Sequence, residues 1–315
     1  MKFGTCLLRV AYVSVALVMV SVLFRQHDLV VDVSETVDPV MVLAASVILF
    51  FYRIVNASVW GVVLCGLGAS VSKVAATRVW LNTEALRWLP GGIWGFCSRV
   101  TAAQRLGLSK SLASLSLSVE LLITILAWGM AMTAGLWFSG LLPRLYGFVP
   151  DGIVMLVCLG TIGLLLGLWL FRACLMKTAW VQRLSLVREC QVCRGDLMFA
   201  LVAYAVLCVV NGLGFYLLLQ AFPQGGGSVS LLAAIGVNAA GWLAGFFAVG
   251  APGGLGAREA ALVAMLSPFM SLEVVVLFVA AWRLLQMLVE AVALATVEAT
   301  RRMMPVSCSV LRPVA

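Results

Sequence analysis

The sequence predicts an all-α polytopic membrane protein, with about six full spans and two re-entrant helical hairpins broken at Pro-Gly-Gly. Three observations predict it. Hydrophobic residues make up 63% of the 315 and charged residues only 11%, whereas soluble domains run nearer half apolar and a quarter charged. The apolar residues gather into runs of the ~20 that a bilayer crossing requires. Two further apolar zones are each interrupted by the same tripeptide, at Pro90-Gly91-Gly92 and at Pro252-Gly253-Gly254. The alternative is eight or more ordinary spans, with the tripeptides as tight turns.

The first run, 4–24, ends in Phe24-Arg25-Gln26 without a small-residue cleavage site. It reads as a retained span rather than a signal peptide. The second, 39–64, is long enough to cross but carries Arg53 and Asn56 inside it. The first broken zone occupies 73–106. Clear spans follow at 111–139, 152–171 and 198–220, then the second broken zone at 229–268 and a last span at 273–298. The longest stretch without a convincing span, about 172–195, falls short of the ~50 residues a soluble catalytic domain needs. Residues 1–315 are therefore expected to form one membrane domain, with inverted structural repeats over about 39–139 and 198–298.

Orientation follows the lysines and arginines, which favour cytoplasmic loops. The first loop holds Asp28, Asp32, Glu35 and Asp38 against Arg25, whereas 172–196 holds Arg172, Lys177, Arg183, Arg188 and Arg194. Lys73, Arg105, Lys110, Arg301, Arg302 and Arg312 fall on that same side. Both termini are expected in the cytoplasm and the protein in the plasma membrane. The net charge of +8 belongs to these loops, so no nucleic-acid partner is expected. Most of the nine cysteines lie in apolar runs and read as small hydrophobes. Cys190-x-x-Cys193 stands without a second pair, and His27 is the only histidine. No metal or other cofactor is therefore expected.

Proline removes a backbone donor and clashes with the preceding turn, and glycine disfavours helix. In lipid such a break survives only where protein or water surrounds it. The first copy reads Pro90, Gly91, Gly92, Gly95, Arg99, and the second Pro252, Gly253, Gly254, Gly256, Arg258, about half the chain later. Three spans between the zones put them on opposite faces, with tips meeting near the midplane. Inverted halves with broken helices at mid-bilayer are a recurrent transporter plan.

A helix starting after each tripeptide points free N–H groups and a positive dipole end at the tip, a ready anion site. Arg99 and Arg258 add planar guanidiniums suited to phosphate. Glu120 lies about 14 Å into its span and Arg283 about 15 Å into another, at 1.5 Å per residue. Charges at such depth face a cavity or a partner. Glu259 and Glu290 are further embedded acids. The plainer reading of these groups is structural pairing, Glu259 with Arg283 and Glu120 with Arg99. Glu84 and Arg87 are spaced to pair locally on a helix. Trp80, Trp88 and Trp94, near the first break, suit a groove wall or ordinary packing.

The stretch "LRWLPGGIWGFCSRVTAAQRLGLSKSLASLSLSVELLIT" resembles the first signature of the lysylphosphatidylglycerol synthase transmembrane-region family, the flippase-like integral membrane proteins. "APGGLGAREAALVAMLS", followed by "AWRLLQMLVE", resembles its second, and the likeness runs from about residue 10 to 300. The resemblance implies a lipid-handling membrane domain. In the best-known members it moves aminoacylated phosphatidylglycerol between leaflets and is joined to a soluble aminoacyl-transferase domain. These 315 residues hold no such domain, so synthase activity is not expected. Carried over, the motif positions are Pro90, Gly91, Arg99, Glu120, Pro252, Gly253, Gly254, Gly256, Arg258, Glu259 and Arg283.

The leading functional expectation is a flippase-like transporter of an anionic or phosphate-bearing membrane lipid. Arg99, Glu120, Arg258, Glu259 and Arg283 would line its path, and the Pro-Gly-Gly breaks would shape the tips. No GxxxxGK[ST] motif is present for ATP. The alternatives are a non-transporting partner of an envelope-lipid or glycosyltransferase enzyme, docking through 172–196, and a membrane-embedded lipid-modifying enzyme. The last lacks the paired acids with a metal, or the nucleophile with a base, that such chemistry uses.

Overall fold

The computed structural model describes residues 37–88, 94–141, 193–222, 229–248 and 251–303. Among them lie eight α-helices, two short 3-10 turns and no strand. The expected spans 4–24 and 152–171, most of the basic stretch 172–196, and Pro90, Gly91 and Gly92 lie outside the described residues.

Helix α1 (Pro39–Gly66) starts where Asp38 accepts a hydrogen bond from the Val40 amide at 2.8 Å, with proline at the first helical position. Both are favoured helix starts. The first hairpin follows as α2 (Lys73–Glu84), a 3-10 turn at Ala85–Trp88, and α3 (Trp94–Gln104). Gly107, at φ 87°, turns the chain out of it. Helix α4 (Lys110–Phe138) is capped by Ser109, which accepts from the Leu112 amide.

The same order then recurs. Long α5 (Arg194–Ala221) is followed by α6 (Leu231–Phe247), a 3-10 turn at Pro252–Gly254, short α7 (Ala257–Leu266) and long α8 (Leu272–Met303). Ser230 caps α6 by accepting from Ala233.

Four helices, α1, α4, α5 and α8, are long and apolar enough to cross a bilayer. They coincide with the expected spans at 39–64, 111–139, 198–220 and 273–298. The protein is thus an integral membrane protein. Helices α2, α3 and α7, with 12, 11 and 10 residues, reach only about 15–18 Å at 1.5 Å per residue, short of the ~30 Å hydrocarbon core. Helix α6, with 17 residues, reaches about 25 Å. Each hairpin packs on itself, and the two 3-10 turns, Ala85–Trp88 and Pro252–Gly254, touch inside the molecule.

Large apolar residues face outward along α1 (Val40, Leu43, Val47, Phe51, Val55) and α5 (Met198, Val202, Val206, Val209). This stripe at helical spacing suits lipid. Inward, small residues let backbones approach, as is usual between membrane helices. A Cβ on Gly135 of α4 would stand 2.6 Å from the Gly236 Cα of α6. Asn238 of α6 donates to Asn211 of α5 at 2.8 Å, in full burial.

Candidate functional site

A cleft of about 290 Å³ lies between the two hairpins, bordered by the Gly95 end of α3 and by Gly253 and Gly254 of the second tip. Both the first tip and the second contribute charge to it, but the two differ in how that charge is met.

The first tip is fully paired. Arg99, 3% exposed, projects from α3 and uses three nitrogens. Its Nε donates to Thr83 Oγ1 at 3.1 Å, its Nη1 to Glu120 Oε2 at 2.8 Å and its Nη2 to Glu84 Oε2 at 2.8 Å. Its guanidinium also lies over the rings of Trp80 (4.9 Å) and Trp60 (5.9 Å), a favourable place for a cation. Glu120 in turn accepts from Trp80 Nε1 at 2.5 Å and from the Tyr204 hydroxyl at 3.3 Å.

The chain of ions continues. Glu84 holds Arg87 at 2.8 Å, Arg87 reaches Glu290 of α8 at 3.0 Å, and Glu290 holds Arg53 of α1 at 2.5 Å. Three arginines and three glutamates thus alternate from α4 to α1 and sum to zero. This answers the cost of charge in a low-dielectric interior, where unpaired ions are expensive and alternating ones hold each other.

The second tip is built differently. Gly253 (φ 56°), Gly254 (φ 74°) and Gly256 (φ 87°) all take left-handed backbone, which favours glycine. A Cβ on Gly254 would stand 2.6 Å from the Gly245 Cα, so the tip lies directly on α6. Arg283 of α8 donates from Nη2 to the Gly253 carbonyl at 2.6 Å, and its Nε stands 3.4 Å from Glu259 Oε1. Glu259 Oε2 accepts from the Gly256 amide at 2.7 Å. The first turn of α7 therefore has its own carboxylate on it, the place an acid favours. Here the structure departs from the expectation of a helix start left open for an anion.

Arg258, between Glu259 and the tip, is 6% exposed and borders the cleft. Its Nε and Nη2 are buried and have no hydrogen-bond partner among the described residues. It also borders a smaller cavity of about 40 Å³, together with Arg53, Arg87 and Trp242. The stem is set by α6, since a Cβ on Gly245 would come within 3.1 Å of the Arg258 Cβ.

The residues singled out from sequence are brought to one place but not to one role. Arg99, Glu120 and Arg258 line the cleft, and so does Arg283. Arg99 with Glu120, and Arg283 with Glu259, are paired to one another, while Arg258 stands apart. Sequence reasoning left out the parts played by Arg53, Tyr204, Trp242 and Phe246. The last two line the cleft, with Trp242 stacked between Trp128 (4.8 Å) and Phe246 (5.3 Å). The signal for Arg53 was its place in the middle of an apolar run. The i, i+4 spacing of Trp242 and Phe246 marks a shared helix face.

A family model described as "Lysylphosphatidylglycerol synthase TM region" matches residues 7–293. Comparison with curated proteins returns no match.

Proposed function

The chain belongs to the lysylphosphatidylglycerol synthase TM-region family, and on that premise we propose that it moves a phosphate-bearing lipid between the leaflets of the plasma membrane. The observation that carries the proposal is Arg258, a buried guanidinium whose Nε and Nη2 have no partner among the described residues, at the edge of a cleft between two broken hairpins. Every other guanidinium around the cleft is held by a carboxylate. A buried cation without a counter-ion costs free energy, and a lipid phosphate would supply that counter-ion while its tails stay in the bilayer. The contact between the turns Ala85–Trp88 and Pro252–Gly254 supports a path at mid-depth, as in transporters built of inverted halves. The excess of lysine and arginine on one side of the chain supports termini in the cytoplasm.

The test is reconstitution in liposomes, with transbilayer movement of head-group-labelled anionic lipids measured with and without a pH gradient. Wild-type protein is expected to move the lipid. Arg258→Ala is expected to abolish movement while keeping a monodisperse profile in detergent. Movement unchanged by Arg258→Ala would remove the head-group role.

A further inference from the structure

We propose that the smaller cavity beside Arg258, distinct from the cleft between the hairpins, holds a monovalent inorganic anion of the size of chloride. The inference does not rest on the lipid-transport reading: it concerns another cavity and stands with the cleft empty of lipid.

Size decides first. The cavity measures about 40 Å³. One water-sized group needs ~10–15 Å³, so there is space for roughly three. A halide ion with its nearest water fits. A phosphate ester with its substituents does not.

Charge comes next. Arg53, Arg87 and Arg258 border the cavity, and no aspartate or glutamate does, among the described residues. Arg53 and Arg87 share Glu290, and Arg87 also holds Glu84, so these two are met by carboxylates outside the cavity wall. Arg258 is 6% exposed, and its Nε and Nη2 have no partner among the described residues. One positive charge is left over. A monovalent anion neutralises it, whereas water leaves it unpaired. A recess lined by one sign of charge, with low-dielectric walls, concentrates counter-ions. The charge of a guanidinium is delocalised, so this attraction does not require the covered nitrogens to turn outward.

The neutral polar groups agree. Tyr52, Asn211 and Gln286 border the same cavity. Asn211 Oδ1 already accepts from Asn238 at 2.8 Å, so what Asn211 has left to offer is its NH2. A phenol O–H and the NH2 groups of Asn and Gln are all donors to an anion. The rest of the wall is apolar or aromatic. Such a wall suits a monovalent ion better than a multivalent one, whose desolvation costs more.

The test is the unfolding midpoint of the purified full chain in detergent, titrated with sodium chloride or sodium bromide at an ionic strength held constant with sodium gluconate, an anion too large for the cavity. Chloride and bromide are expected to raise the midpoint saturably, by about 2 °C or more at ten times the apparent dissociation constant. Arg258→Met removes the unpaired charge and should flatten the response. Gln286→Glu is nearly isosteric and puts a fixed carboxylate in the cavity wall in place of the bound ion, so it should fold and also give a flat response. Chloride and bromide acting no differently from gluconate would overturn the proposal and leave a cavity that holds water. A saturable response kept by either variant would also overturn it, since the anion would then bind elsewhere. None of these readouts uses a lipid, so a failure of the transport reading would leave them unchanged.

Discussion

Arg258→Met and Arg99→Met should move stability in opposite directions. Both replace a buried arginine by an unbranched apolar side chain of similar reach. At Arg99 the change removes three donors and leaves Glu84 and Glu120 short of their shared cation. Breaking a buried ion pair by deleting one partner costs about 3–5 kcal/mol. Glu120 keeps Trp80 and Tyr204, and Glu84 keeps Arg87, so the lower end, about 3 kcal/mol, is expected. At Arg258 the change removes a charge with no partner, and two buried nitrogens with no acceptor, among the described residues. Each such orphan costs about 1–3 kcal/mol, so deleting both recovers about 2–6 kcal/mol, less whatever the thioether loses in fit, typically under ~1.5 kcal/mol for a volume-conserving change. The two variants should therefore lie about 3.5 kcal/mol or more apart, on either side of wild type. Unfolding midpoints in one detergent, followed by tryptophan emission, read that order. Arg258→Met should at the same time lose lipid movement, the usual exchange of stability against function at a strained site. Destabilisation of Arg258→Met as large as that of Arg99→Met would refute the reasoning, because it would mean that Arg258 is held by the protein.

Three further outcomes are expected. Trp80→Phe keeps a ring under Arg99 but deletes the Nε1–H that Glu120 accepts, so it should cost about 1.5–3 kcal/mol, the worth of a hydrogen bond to a charged group, in the same unfolding measurement. Gly254→Ala meets both a φ of 74° and the Gly245 Cα at 2.6 Å, whereas Gly256→Ala meets a φ of 87° with open space around it. The first should lose folded yield on size exclusion, and the second should fold with a penalty of about 1–3 kcal/mol. Asn238→Ala strips Asn211 Oδ1 of its donor between α5 and α6, and should cost about 1–3 kcal/mol while leaving lipid movement in liposomes unchanged.

The four long helices were legible because a bilayer crossing is a matter of length and composition, both printed in the sequence. So was the break at Pro252-Gly253-Gly254, since proline and glycine interrupt a helix. Pairing was legible in part. Glu120 with Arg99 and Glu259 with Arg283 follow from buried charges needing partners, and these pairs form. The difference between Arg99 and Arg258 was not legible. Each is an arginine shortly after a glycine break, and nothing local separates them. It arises because α2 and α4 deliver Glu84 and Glu120 to the first, and among the described residues no helix delivers a carboxylate oxygen within ion-pair distance of the second. Glu290 escaped for a related reason, since its partners Arg53 and Arg87 lie more than two hundred residues away in the chain. The cap that Glu259 places on Gly256 had a readable spacing, an acid three residues after the helix start, but the open helix end was assigned to a ligand instead.

Selectivity in such a site comes from its neutral walls as much as from the charge they surround. A cation in water is solvated from every side and distinguishes poorly between one anion and another. Six alternating ions around the first tip remove net charge from one wall of the cleft without removing its polarity, and the Arg283–Glu259 pair does the same for the second tip. Against that background the single charge of Arg258 acts in a low dielectric, where both attraction and mismatch are magnified. In the proposed transport site Glu290 would contribute at a distance, although it does not border the cleft. It balances Arg53 and Arg87, and both of these do border the cleft. On the proposed reading, the paired charges of Arg53, Arg87 and Arg99 leave Arg258 as the one cleft-lining arginine, among the described residues, without a carboxylate partner.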